Sequence, residues 1–365
     1  MSSFCSFPWR GLMMAETGEL RPCCKLDTSK IASWQKSYIK DGLDQYEANP
    51  GLDELKKSFL DGDKPDACHR CWTPESYGMV SHRRLLDDAH RRPGFGRFDL
   101  SLGNLCNLKC RICHPDESSR YIKEWQDLFG EQGKLSPTLD HNTIDIAKQI
   151  AVRSDNINIA GGEPLLIREH LIILDSIIQE GRADKTSLQY HTNGTILPDA
   201  EMLDIWSRFQ SVEISFSLDG TRRKFEYNRH PALWDKIETN ILRLKEIKSD
   251  NVKISVNTVL SVFTVDALQE LFDWCIINDI QSPHLHILTN PPLFQVSVLP
   301  LSLQDELKIE LLKQKHLGAK AAIGSLNRDD THLLPALKHR IEIQDRYRNE
   351  SFAEVFPRIA AHIFG

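Results

Sequence analysis

The chain has 365 residues, 41% of them hydrophobic, which is enough for one large domain or two smaller ones with a full core. Its formal charge of −6 is spread over interspersed acids and bases with no long basic block, which argues against a nucleic-acid or anionic-membrane surface. No apolar run approaches the roughly 18 to 20 residues of a membrane helix, and Met1-Ser-Ser-Phe-Cys-Ser lacks the basic and apolar regions of a signal peptide, so a cytoplasmic location is expected.

Residues 1–95 carry five of the nine cysteines, several turn formers and one short helical pattern, Leu52 to Leu60. A small metal-stapled domain is expected there. Without an export signal, clustered cysteines read as metal ligands or buried thiols rather than disulfides. Cys5 is followed by twelve residues, Gly18, four more residues and the pair Cys23-Cys24; Cys68-His-Arg-Cys71 comes later. Four thiolates in two pairs close either a tetrahedral zinc site or a complete four-iron cluster. Adjacent cysteines on extended chain face opposite ways, so Cys23 and Cys24 are not expected to serve one centre equally. His69 is expected beside the ligands rather than among them. Ser81-His-Arg-Arg84 and His90-Arg-Arg92 form a modestly basic hinge, from which Arg83 or Arg84 could reach an acidic group.

From residue 96 the pattern changes to short β-rich runs alternating with amphipathic helical ones, the signature of a parallel sheet built from βα units. Strands are predicted at 97–102, 155–160, 186–191, 211–218, 252–260 and 284–290. Helices are predicted near 116–128, 142–152, 168–180, 199–208, 232–248 and 265–278. Six such units make an α/β partial (β/α)6 barrel over 96–300, followed by a helical C-terminal segment over 301–365 that caps the barrel or flanks the substrate. Cys275, in the apolar run Leu268 to Ile276, reads as core.

Directly after the first of these strands comes Cys106-Asn-Leu-Lys-Cys110-Arg-Ile-Cys113. Three thiolates hold three irons of a four-iron cubane and leave the fourth open; taken alone, the triplet also fits part of a zinc site. The C-x3-C-x2-C spacing resembles the radical S-adenosylmethionine (SAM) superfamily. That resemblance implies that the open iron is chelated by SAM, whose reductive cleavage yields a 5′-deoxyadenosyl radical that abstracts hydrogen. Further matches follow in the family's order at strand ends. Gly161-Gly162-Glu163-Pro164 is similar to the turn that receives the methionyl amine, and Thr192-Asn193 and Ser217-Leu-Asp219 to strand ends near the ribose and methionyl groups. Arg229 matches an arginine for the SAM carboxylate, a task suited to a planar bidentate donor. Asn257 and Leu288 match polar and adenine-facing positions on the last two strands. Ile112 departs from the aromatic residue usual before the third cysteine.

The C-x12-G-x4-C half resembles the auxiliary-cluster motif of SPASM and twitch extensions, here placed before the barrel, as in radical SAM proteins with an N-terminal twitch domain. The resemblance implies a second [4Fe-4S] cluster on Cys5, Cys23, Cys68 and Cys71, with Cys24 spare, and a low-potential reductant such as flavodoxin or ferredoxin. It implies first a peptide or protein side chain as substrate, modified by oxidation, cross-linking or epimerisation. The second expectation is a small metabolite such as an amino sugar or nucleotide; the third is a noncatalytic metal-binding protein. Tyr190, His191, Glu213 and His286 are the candidates for a general base, and alternation along the strand allows only one of Tyr190 and His191 to face the cavity.

Overall fold

A computed structural model describes residues 3–15, 17–78, 80–86, 94–135, 140–281, 283–313 and 319–365. The basic stretch His90-Arg-Arg92 lies outside the described residues. One eight-stranded sheet runs in the order β2-β1-β3-β4-β5-β6-β7-β8. Six of its strands are the predicted ones: β3 (Arg97–Ser101), β4 (Asn156–Ala160), β5 (Ser187–Thr192), β6 (Ser211–Ser217), β7 (Val252–Leu260) and β8 (His284–Ile287), each parallel to the next. The other two come from the cysteine-rich segment. β1 (Gly11–Met14) pairs in parallel with β3, and β2 (Leu20–Arg21) folds back antiparallel on β1. Buried Arg10 ties this edge to the barrel through Asp155, at 2.7 Å.

Alternation along the strands separates two environments. Phe98, Leu100, Ile157, Ile159, Leu188, Tyr190, Val212 and Ile214 are buried under the surrounding helices. Arg97, Asp99, Asn158, Gln189, His191, Glu213 and Asn257 occupy the alternate positions and face the inside. Arg97 reaches past β4 to Gln189 at 3.2 Å, and His191 reaches past β6 to Asn257 at 2.9 Å. Strands two apart in a flat sheet are about 9.5 Å away, so these contacts require the sheet to curl round its polar face.

The helices His141–Ala151, Glu169–Gln179, Ala200–Ser207, Trp234–Ile247 and Leu268–Ile277 cover the apolar face. Two of them start where the chain supplies a cap: Asp140 accepts from the Thr143 N–H at 2.7 Å and Asp199 from the Met202 N–H at 2.9 Å. Cys275 is fully buried in this core. A second core joins Leu260, Phe263, Leu288 and Phe294 to the C-terminal helices Leu301–Lys313, Leu334–Arg348 and Pro357–Phe364. A third, small one surrounds the N-terminal cysteines with Phe7, Leu26, Leu55 and Phe59.

Candidate active site

The loop after β3 carries Cys106, Cys110 and Cys113, and close backbone packing holds it in place. Leu102 continues the β3–β4 ladder by donating to Ala160 at 3.1 Å, and Glu163 N donates to Leu105 O at 2.8 Å. Between these bonds the loop passes over Gly161 (φ +90°) and Gly162 (φ +44°). A Cβ on Gly161 would sit 2.4 Å from Ser101 Oγ, and one on Gly162 would sit 2.1 Å from Leu105 O. The two glycines are therefore required by the cysteine loop itself, a reason for glycine that the sequence attributed to ligand approach. The Lys109 and Arg111 amides fasten the other side of the loop to His230 O and Asn228 O at 2.8 and 2.9 Å.

The three thiols converge. Burial pushes Cys110 up to about 11, with Cys106 adding to the rise, and pushes Cys113 well above the usual thiol value, with both other cysteines adding. Such a group is adverse for thiolates alone and suits a cationic metal cluster, so these residues fit a four-iron centre. Asn193 Nδ2 lies 3.9 Å from Cys106 Sγ, and Arg229 Nη1 lies 4.0 Å from Cys110 Sγ.

The other matched residues divide by role. Glu163 is fully buried and spends its carboxylate inside the protein, accepting from Thr192 Oγ1 and Asn193 N at 2.7 Å each and from Leu165 N at 3.1 Å. It is a strut between the ends of β4 and β5, and Thr192 is its partner. Pro164 is buried at the start of the turn that follows. Asn193 bonds Asn107 at 2.9 Å, which links the β5 end to the cysteine loop. Asp219 and Arg229 form a buried ion pair at 2.7 Å. Arg229 Nε is buried with no hydrogen-bond partner among the described residues, so one edge of the guanidinium still has a donor for an anionic group such as a carboxylate. Ser217 pairs in register with Asn257, whose amide bridges His191 and His286. Leu288 is packed into the C-terminal core, near Tyr77 and Gln295.

Of the candidate bases, Tyr190 points outward against Trp206 and His170. His191 faces inward, as alternation requires. Glu213 accepts from Ser255 Oγ at 2.6 Å. Burial, then Arg97, pull His191 down to about 3, and burial, then Lys25, pull His286 down to about 4, so both are neutral hydrogen-bonding groups at pH 7.

Sequence reading missed a brace on the cysteine loop. Arg111, buried between Cys110 and Ile112, pairs with Asp345 at 2.6 Å and Glu350 at 2.5 Å and lies 3.5 Å over the Tyr227 ring. Lys109 and Arg348 both pair with buried Glu124, at 2.6 and 2.8 Å. The C-terminal segment thus grips the loop of the cysteine triplet. The two basic residues inside the cysteine motif were visible in the chain, but the acidic partners of Arg111 lie more than 200 residues away.

In the N-terminal segment Cys5, Cys23, Cys68 and Cys71 line one small cavity together with Phe7, Lys25, Leu26, Phe59, His82 and Arg83. Burial raises Cys5 to about 12, with Cys71 adding, and raises Cys23 well above the usual thiol value, with Cys24 and then Cys5, Cys68 and Cys71 adding. Cys24 looks elsewhere, to His82 Nε2 at 3.6 Å and toward Asp99. His69 stays out of the cavity, its Nδ1 3.1 Å from Asp66 O. Arg83 does not reach the inside of the barrel: Glu75 holds it at 2.6 Å and its guanidinium lies 4.6 Å over Trp72. Arg84 is exposed.

Comparison with known proteins bears on the barrel that carries the cysteine triplet. Residues 100–275 match the Radical SAM superfamily model. A GTP 3′,8-cyclase of Syntrophomonas wolfei subsp. wolfei is 28% identical over 174 residues, 47% of this chain and 48% of the relative. The radical SAM cyclopropyl synthase TigE of Paramaledivibacter caminithermalis is 25% identical over 175 residues, 46% of this chain and 36% of the relative. The chain thus spans about half or less of the length of these curated relatives. Among solved structures, native anSMEcpe with bound AdoMet aligns with a TM-score of 0.42 at 16% identity, covering 70% of this chain and 62% of that one. With its cysteine triplet on the loop after the first barrel strand and the family model running from β3 to the helix Leu268–Ile277, residues 100–275 of this chain carry a Radical SAM superfamily domain.

Proposed function

We propose that the chain acts on a small polar metabolite of nucleotide or amino-sugar type held inside the barrel. A four-iron cluster on Cys106, Cys110 and Cys113, with SAM on its open iron, supplies the deoxyadenosyl radical chemistry when bound. Arg229, through its free Nε edge, would take the SAM carboxylate, while Asn193 and Ser217 offer polar contacts beside it. The protein's remaining task is to orient one substrate hydrogen and exclude other quenchers.

The observation that carries the substrate class is the inner face of the sheet. Arg97, Gln189, His191, Asn257 and His286 line it, and the Lys25 charge reaches both His191 and His286. Arg97 and Lys25, set against Asp99 and Glu213 on the same face, together with neutral imidazoles favour a compact polar substrate rich in hydrogen-bonding oxygen and nitrogen. The GTP 3′,8-cyclase relatives favour the same class, and peptide modification, the first expectation from sequence, has less support. Cys5, Cys23, Cys68 and Cys71 would carry the second [4Fe-4S] cluster, in a twitch-like unit, as electron acceptor or relay, with flavodoxin or ferredoxin as reductant.

The test is 5′-deoxyadenosine formation by anaerobically reconstituted protein given SAM and dithionite, alone and with nucleotide, sugar-nucleotide or peptide panels. Nucleotides or sugar nucleotides are expected to raise turnover, and Arg97→Ala to abolish that rise while leaving the substrate-free cleavage. Stimulation by peptides alone would overturn the substrate class.

A further inference from the structure

Cys24, spare in the four-cysteine arrangement, stands beside two other potential ligands. Cys24 Sγ is 3.6 Å from His82 Nε2, His82 Nε2 is 3.9 Å from Asp99 Oδ2, and the three atoms all lie within 4.8 Å of one another. We infer that these residues form a mononuclear divalent-cation site of the zinc class, next to the N-terminal cysteine cavity that His82 also lines and opening on the inside of the barrel.

Three observations converge on a cation. The first is spacing. Zinc bonds to sulfur, nitrogen and oxygen at tetrahedral angles put sulfur and nitrogen about 3.6 Å apart and nitrogen and oxygen about 3.4 Å apart. The observed 3.6 and 3.9 Å come within about half an ångström of that with no ion to draw the ligands in.

The second is which atoms meet. In a thiol–imidazole–carboxylate relay the thiol and the carboxylate address different ring nitrogens. Here a single nitrogen, Nε2, faces both. That convergence suits shared coordination and does not suit proton relay. Phe7 stacks on the His82 ring at 4.6 Å and holds its plane.

The third is an unmet need. Asp99 is 4% exposed, and its Oδ1 is taken by Arg97 Nε at 2.7 Å. Its Oδ2 is buried and makes no close hydrogen bond, with only the weak donor Cys24 thiol beside the carboxylate and His82 Nε2 3.9 Å away. A buried carboxylate oxygen left in that state is costly, and an ion at this point satisfies it. A thiolate and a carboxylate together cancel a divalent charge, so Arg97 and Lys25, both close to Cys24, face a centre that is neutral overall.

With three protein ligands the fourth coordination position remains open, the arrangement of reactive zinc sites rather than structural ones. Asp99 is on the inner face of β3, in register with Asn158 and through it with Gln189. The ion would therefore hold a substrate oxygen or a water against the substrate-facing wall. This inference does not depend on the substrate class proposed above or on SAM cleavage.

The experiment is equilibrium dialysis of the fully reconstituted chain against zinc, with elemental analysis of zinc and iron and zinc K-edge absorption for the ligand shell. One zinc per chain is expected, with a single sulfur and the rest nitrogen or oxygen. Asp99→Asn and Cys24→Ala should each lose it while iron and sulfide content stay unchanged, which shows that both variants fold and load. Absence of zinc in the parent protein, retention in both variants, or a four-sulfur shell would each overturn the site; the last would place zinc on Cys5, Cys23, Cys68 and Cys71.

Discussion

His170, fully buried in the helix Glu169–Gln179 with its ring edge toward Tyr190, shows how one residue adds, alongside His191 and His286, to a pH limit on the fold. Burial pulls it down to about 4. Between the unfolded value near 6.5 and about 4, the unfolded chain binds the proton and the folded one does not, so stability falls as pH falls through that window. The loss is about 1.4 kcal/mol per pH unit at most, and it levels off below about 4. Urea midpoints measured from pH 7 to 5 should decline, and His170→Phe should flatten the decline; an unchanged slope would assign it to other groups. Single-residue roles were legible only where chemistry leaves a spacing. Three cysteines in C-x3-C-x2-C announce themselves. Glu163 also stood out, but the chain could not show that its carboxylate is spent on Thr192, Asn193 and Leu165.

At the scale of elements, the helix Leu334–Arg348 looks from sequence like a cap, yet it is tied to the loop that carries the cysteine triplet. Arg348 and Glu124 are essentially inaccessible to water, and Arg348 also donates to Lys109 O at 2.8 Å. Removing one member of a buried pair leaves the other charge uncompensated, typically at about 3–5 kcal/mol. Because Lys109 still faces Glu124, Arg348→Met is expected to cost about 3 kcal/mol in urea unfolding. Joint replacement with Glu124→Gln should recover most of that loss. The single variant should also lose iron from the Cys106 loop, measured as iron per chain. Strands and helices of the barrel were legible because their alternation and helical period are local properties. The pairing of β1 with β3 was not, because a four-residue strand has no period of its own and its partner lies some eighty residues on.

Over the whole molecule the two cysteine groups sit in different cores. Cys106 and Cys110 pack against the barrel core, whereas Cys5, Cys23 and Cys68 belong with the small N-terminal one. Each group should therefore load without the other. Cys106→Ala, Cys110→Ala and Cys113→Ala combined should keep about four of about eight irons and lose SAM cleavage. Cys24→Ala should keep all the iron and Cys23→Ala should not. Iron analysis checks both, and the reverse result for the Cys23-Cys24 pair would exchange their roles. By itself the sequence determined the class of fold, the C-x3-C-x2-C triplet after the first barrel strand and the order of the strand-end motifs, since periodicity and ligand spacing are written in neighbouring residues. Only the tertiary structure decided which face of the sheet is polar, that Cys24 turns toward His82 and Asp99, and that Asp345 and Glu350 grip Arg111. Those outcomes depend on side chains far apart in the chain meeting in space, and their energies come from burial and charge pairing that no local pattern encodes.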